Sequence, residues 1–202
     1  FMKIPYILVL YDTNQDATKN LAYLIAQGIH DAGLRAMIRR VPKVSAVSEQ
    51  SHPAIPDEGD LYCTADDLRA CSGLAMGSPT HFGNMSASLK YFWDNTVSIW
   101  LAGDLQGKPA CVFTTSGSMH GGQESTLLTM MMPLLHHGML LMGLPYAHPE
   151  LSVTVRGGTP YGASHVSGVK HQHVMTVDEQ ALAIAQGVRL ATLVKQLQAD
   201  SL

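Results

Sequence analysis

The chain has 202 residues, 46% of them apolar and only 14% charged, with a formal net charge of −3. This composition supports a substantial buried core, excludes a disordered polyelectrolyte and gives no electrostatic reason to expect a nucleic-acid partner. One domain over 2–202 is expected, and no apolar run is long enough for a membrane span.

Cys63, Cys71 and Cys111 are odd in number and lack C-x-x-C spacing, so they read as reduced thiols, not as a disulfide framework or zinc ribbon. The N-terminal stretch lacks a basic segment leading into a long apolar one, and both features predict a cytoplasmic protein. Eleven methionines and sparse charge hint at surface covered by other subunits.

Ile7-Leu8-Val9-Leu10-Tyr11 is a continuous β-prone run, the kind buried on both faces of a parallel sheet. A polar loop over residues 12 to 18 follows, and then Leu21, Leu24, Ile25, Gly28, Ile29 and Ala32 recur with helical period. Leu34 to Val41 reads as a second strand, 43 to 63 as a long surface loop, Ala65 to Cys71 as a short helix and Gly73 to Ser78 as a third strand. Asn84 to Thr96 is its helix, with Trp93 in the core and Trp100 beyond. Pro109 to Thr115 is a fourth strand, after which a helix turns Leu127, Leu128, Met131, Leu134 and Leu135 inward, with Pro133 as its weak point. Met139 to Leu144 is a fifth strand. Residues 145 to 175 form an interfacial excursion without helical period, and Thr176-Val177-Asp178-Glu179 is a capping box before a last helix lined by Ile184, Val188, Ala191 and Val194. Alternating βα units with an all-apolar first strand predict an α/β doubly wound parallel sheet.

In such a sheet the loops after strands one, three and four (12 to 18, 78 to 84 and 115 to 122) converge on one ligand. The first is rich in hydroxyls and amides at a helix N-terminus, which suits a phosphate; the others offer small residues and backbone donors for the edge of a planar heterocycle. No G-x-G-x-x-G or G-K-[ST] is present, which argues against a firmly bound dinucleotide or nucleoside triphosphate. No metal site is expected, since His171-Gln172-His173 has no carboxylate or cysteine close in sequence. Ser116, Ser118 and His120 lack a nucleophile elbow and do not form a hydrolase set.

Gly77-Ser-Pro-Thr-His-Phe-Gly-Asn-Met85, Leu89-Lys-Tyr-Phe92, Trp100, Gly107-Lys108, Gly121-Gly-Gln-Glu124, Leu135-His-His-Gly-Met139 and Gly157-Gly-Thr-Pro-Tyr-Gly-Ala163 occur in that order. In these motifs nearly the whole chain resembles the WrbA-type NAD(P)H:quinone oxidoreductases, flavodoxin-like proteins that bind FMN. The resemblance implies a flavodoxin-like five-stranded parallel sheet with helices on both faces. It implies that Thr13, Asn14, Gln15, Asp16, Ala17 and Thr18 cradle the FMN phosphate. Ser78, Pro79, Thr80, His81, Phe82 and Gly83 would line the ring, with Thr80, His81 and Phe82 at the isoalloxazine edge. Thr115, Ser116, Gly117, Ser118, Met119, His120 and Gly121 would hold its other side. His136, or its neighbour His137, would approach the flavin from another subunit, and Trp100 would wall the pocket where nicotinamide or quinone stacks. The family is typically homotetrameric with shared active sites. The implied reaction is ping-pong: NAD(P)H gives a hydride to FMN and leaves, and quinone takes two electrons in the same place.

The chain departs from the family at three positions, with Thr13 for Ser, Asp16 for Gly and His81 for Arg. Asp16 takes a position suited to glycine and brings a carboxylate toward a phosphate, either into the loop or out to water. Two other readings follow from the same residues: a flavodoxin-fold interaction module with weakened FMN binding, and a one-electron flavodoxin carrier.

Overall fold

The computed structural model describes residues 4–44 and 56–199. Residues 45–55 of the expected surface loop lie outside the described residues. The strands are β1 (Tyr6–Tyr11), β2 (Arg35–Arg40), β3 (Gly73–Pro79), β4 (Pro109–Ser116), β5 (Leu140–Leu141) and β6 (Ser164–Val166). All pair in parallel, in the order β2-β1-β3-β4-β5, with β6 also on β4. The helices are α1 (Ala17–Asp31), α2 (Ala65–Ala70), α3 (Ala87–Asp94), α4 (Val97–Ala102), α5 (Gln123–His136), α6 (Glu150–Val153) and α7 (Val177–Ala199).

Every residue of β1 is buried, and the two-residue period of a strand sends alternate side chains into two cores. Leu8 and Leu10 join Leu74, Met76 and Val112 beneath α2, α3 and α5, where Leu68, Leu89, Trp93, Leu127 and Leu134 close the layer. Ile7, Val9 and Tyr11 join Ala75, Cys111 and Phe113 beneath α1 and α7, with Leu21, Ile25, Ile29 and Leu190. Each such aliphatic side chain contributes about 1.5–3 kcal/mol relative to exposure. A sheet covered in this way can carry polar chemistry only at its ends.

Helices α1 and α7 lie in backbone contact. A Cβ on Gly28 would sit 2.0 Å from the Ile184 carbonyl oxygen, and one on Gly187 would sit 2.0 Å from that of Ile25. At α7, Glu179 and Thr176 form the predicted capping box, each backbone N–H bonded to the other's side chain.

Three expectations need correction. The fifth strand is two residues long, because β6, inside the excursion expected to have no regular structure, pairs with the carboxyl half of β4 and shares the edge with β5. Helix α3 starts at Ala87, where the Ser86 hydroxyl caps it; Asn84 belongs to the preceding turn. Trp100 lies beyond α3 as expected, on a short helix of its own, α4. On α5 the inward residues are Leu127, Met130 and Leu134, whereas Leu128 and Leu135 face out. From Leu127 to Leu135 only Thr129 is polar, which gives periodicity little contrast with which to choose a face.

Because neither helix backbone can yield at the α1–α7 crossing, Gly28→Ala is expected to lower the unfolding free energy by about 3 kcal/mol, read from denaturant midpoints at unchanged slope.

Candidate active site

Tyr11 is in register with Gly77, and Gly77 with Phe113; β1 ends at this row, β3 two residues beyond it at Pro79 and β4 three beyond at Ser116, so all three open their loops at one edge. Gly77 admits no side chain, since a Cβ there would lie 2.0 Å from the Phe113 ring.

The first loop turns at Asp12, whose N–H donates to the Gly77 carbonyl and whose Oδ1 accepts from Thr13 N–H. No hydrogen bond runs from the N–H groups of Asn14, Gln15, Asp16 or Thr18 to the described residues. They form a row of donors at the N-terminus of α1, and such donors attract an anion. Asp16 adopts the left-handed conformation at φ 51°, which explains why glycine suits the position. Its side chain caps nothing, is 72% exposed and lies 3.8 Å from Lys19 Nζ, so the carboxylate points to water.

In the second loop His81 and Asn84 exchange both backbone hydrogen bonds, with Phe82 and Gly83 at positive φ between them. This tight two-residue turn lifts Phe82 entirely clear of the chain. Ser78 Oγ accepts from Ser86 N–H and donates to the Pro79 carbonyl, fixing the approach to α3. Loops one, two and three meet at Thr115: its hydroxyl bonds that of Thr18 at 2.9 Å, and its carbonyl accepts from Thr80 N–H at 2.8 Å. Thr80 and Thr114 hydroxyls meet at 3.2 Å. In the third loop Ser116 Oγ donates to the Ser118 carbonyl and Gly121 N–H closes back on the same oxygen. Gly117, Ser118, Met119 and His120 are exposed along its crest.

Composition and spacing missed two features of this edge. Lys43 sits within the expected surface loop, yet its ammonium donates to Asp12 Oδ1 at 2.6 Å and Asn14 Oδ1 at 2.8 Å. Asn14 Nδ2 in turn faces His81 Nε2 at 3.2 Å. A cavity of about 480 Å³ also lies beside the first loop, lined by Gln15, Ala17, His165, Ser167, His171 and His173. His165 is held from behind by Glu179, which is fully buried and accepts from His165 Nδ1 and from Gly157, Val166 and Thr176 N–H. Burial pushes the Glu179 carboxyl up, but these hydrogen bonds outweigh it and bring its pKa to about 2.

His136 and Trp100 are not brought to this edge. They lie where α5 has returned the chain to the amino end of the sheet, beside a cleft of about 510 Å³. Trp100 Nε1 donates to the His136 carbonyl at 2.9 Å, and its ring stays half exposed. His137 faces inward, its ring edge-on to Trp93. Since the Thr96 hydroxyl donates to the Trp93 carbonyl, it accepts from His137 Nε2–H, which leaves Nδ1 bare and buried without a partner among the described residues. Burial first, and the neighbouring His136 second, lower the His137 pKa. Of the pair, His136 is therefore the one near the surface.

Residues 5–149 match the NADPH-dependent FMN reductase family. The chain is 36% identical over 197 residues to the NAD(P)H dehydrogenase (quinone) of Rhizobium rhizogenes, covering 96% of this chain and 98% of that one. It is 38% identical over 204 residues to the protein of the same name from Geotalea daltonii, covering 95% and 97%. Among solved structures, a WrbA-like flavodoxin from Agrobacterium tumefaciens superposes with a TM-score of 0.67 at 22% identity, over 95% of this chain and 98% of that one. Its fold is flavodoxin-like.

The Glu179 pKa lies below its ordinary value of 4.5, so the unfolded chain takes up the proton first as pH falls. The stabilisation is complete above pH 4.5 and is lost progressively between there and about 2. Glu179→Gln, which turns an N–H group against donors, is expected to cost about 3 kcal/mol at neutral pH and to flatten that acid limb; urea unfolding across pH measures both.

Proposed function

The chain belongs to the NADPH-dependent FMN reductase family, and on that premise we propose that it is an FMN-dependent NAD(P)H:quinone oxidoreductase with its cofactor laid across the three loops at the carboxyl edge. The observation that carries the placement is that β1, β3 and β4 open their loops at one edge, with a row of N–H donors on the first loop that have no partner among the described residues and an outward Phe82 on the second.

The residues present fit the group. Residues 13–18 supply backbone donors and the Thr13 and Thr18 hydroxyls to the phosphate. Thr80, His81 and Phe82 border the ring on one side, with residues 115–121 on the other. Asp16, at 72% exposure, opposes the phosphate by well under 1 kcal/mol through water. This supports cofactor binding over the reading in which that residue disables the loop. The chemistry that FMN supplies when bound is two-electron transfer from NAD(P)H to quinone. The chain contributes position: Thr115 fixes the spacing of the three loops, and Phe82 excludes water from the ring edge.

His136 and Trp100 serve the same reaction only if a second copy of the chain presents them. Exposed Val97, Trp100, Leu101, Met132 and Leu135 around that cleft support a homotetramer with shared sites. The free thiols at Cys63, Cys71 and Cys111 fit a cytoplasmic location. No helix among the described residues is long and apolar enough to cross a membrane.

The purified protein is expected to bind FMN with quenching of flavin fluorescence and to oxidise NADH or NADPH only when a benzoquinone is present; absence of both sinks the assignment. Asp16→Gly is expected to change FMN affinity by less than about fivefold, the effect of a solvated charge, as measured by calorimetry.

A further inference from the structure

β2 runs beside β1 with Arg40 level with Tyr11, so a residue three positions past one strand lies beside a residue three positions past the other. Those residues are Lys43 and Asn14. The register thus delivers one cation into the loop that the functional reading assigns to the phosphate, and Pro42 and Val41 hold the chain there, Val41 N–H bonding the Tyr11 carbonyl.

What keeps the ammonium in place is a buried acid. Asp12 is 1% exposed, its Oδ1 is 2.6 Å from Lys43 Nζ, and its Oδ2 is buried without a partner among the described residues. A carboxylate removed from water in this way needs a counter-charge at short range. Two of the three ammonium protons are directed at Asp12 and Asn14, while the Lys43 side chain remains 32% exposed at the mouth of the loop. Among the described residues, the other cation paired at this loop is Lys19, whose contact is the solvated Asp16 at 3.8 Å. The loop therefore carries two acids and, at its inner side, one held lysine.

We propose that Lys43 is the phosphate-recognising cation of this site, preorganised by Asp12 and Asn14 to pair with the terminal phosphate of the flavin nucleotide. The proposal rests on the FMN reading above and adds a residue outside the strand–loop–helix segment expected to cradle the phosphate. Asp12 acts as a positioning residue. It holds the cation beside the N–H row before the ligand arrives, so little side-chain order remains to be lost on binding. A dianionic phosphate meeting the N–H row without Lys43 would instead face a buried, uncompensated carboxylate, and the sign of the local field would reverse.

The test compares FMN with riboflavin, which has the same ring and no phosphate, by fluorescence titration of flavin-free protein. Lys43→Met is expected to weaken FMN at least about tenfold while riboflavin stays within about twofold, and Lys43→Arg to recover most of the loss. Because Lys43→Met strands the Asp12 charge, the Asp12→Asn/Lys43→Met double variant is run beside it. That variant is expected to melt near the parent and still to discriminate against FMN. Unchanged FMN affinity in both Met variants, or equal loss of FMN and riboflavin, overturns the proposal and leaves the functional assignment standing. A parent protein that binds neither flavin overturns both.

Discussion

The row Tyr11, Gly77 and Phe113, one residue from each of three adjacent strands, is the constraint on which the rest depends. With both faces of the sheet buried, no polar group can approach a ligand until the strands stop, and they stop at one edge, β1 at this row, β3 two residues beyond it and β4 three beyond. Gly77 is the enabling residue, because the Phe113 ring occupies the space a side chain would take. One position later the chain turns polar in all three strands, at Asp12, Ser78 and Thr114, and Thr115 then binds the loops to one another. The spacing of the candidate cofactor contacts is thus a property of the sheet. The loops add the donors, and the sheet decides where they are.

Charge at the first loop is settled by burial and not by count. Asp16 and Asp12 are both acids of the first loop, and sequence draws attention to Asp16 because it occupies a position that wants glycine. In the structure that backbone demand is met, since aspartate tolerates the left-handed region better than most residues. Its carboxylate is screened by water. Asp12 is the acid whose field matters, because it lies in the dry end of the sheet with Lys43 against it.

The layered sheet was legible because its central strands β1, β3 and β4 are largely apolar runs, and the three loops because turn formers interrupt those runs at the right places. The capping box at Thr176 was legible from spacing alone. Legibility failed where a role is set by pairing across the chain. Ser164 to Val166 is too short and polar to announce a strand and becomes one by meeting β4. Glu179 reads as an ordinary cap, yet its carboxylate also holds His165 and the Gly157 and Val166 N–H groups, a task visible only once the excursion folds back over it. Lys43 looks like a surface residue because its partner lies 31 positions away. The inward face of α5 was misjudged for a different reason: where nearly every side chain is apolar, as from Leu127 to Leu135, burial is decided by what the helix meets.

The separation of His136 from the three loops says how complete one chain is. Helix α5 leaves the third loop at Gln123 and ends at His136, and 14 residues of α-helix span about 20 Å. No side chain bridges that distance, so a single copy holds the three candidate cofactor loops at one end and the Trp100–His136 pair at the other. The pair is nonetheless built with care. His137 is locked between Trp93 and Thr96 with a single usable tautomer, which fixes the end of α5, and the Trp100 indole spends its one donor on the His136 carbonyl. Rigid aromatic surface surrounded by exposed Leu101, Met132 and Leu135 is costly to leave in water and useful only against another surface. In the proposed assembly each chain therefore lends its amino-end cluster to a neighbour's carboxyl-end loops. Association and catalysis would then depend on the same residues.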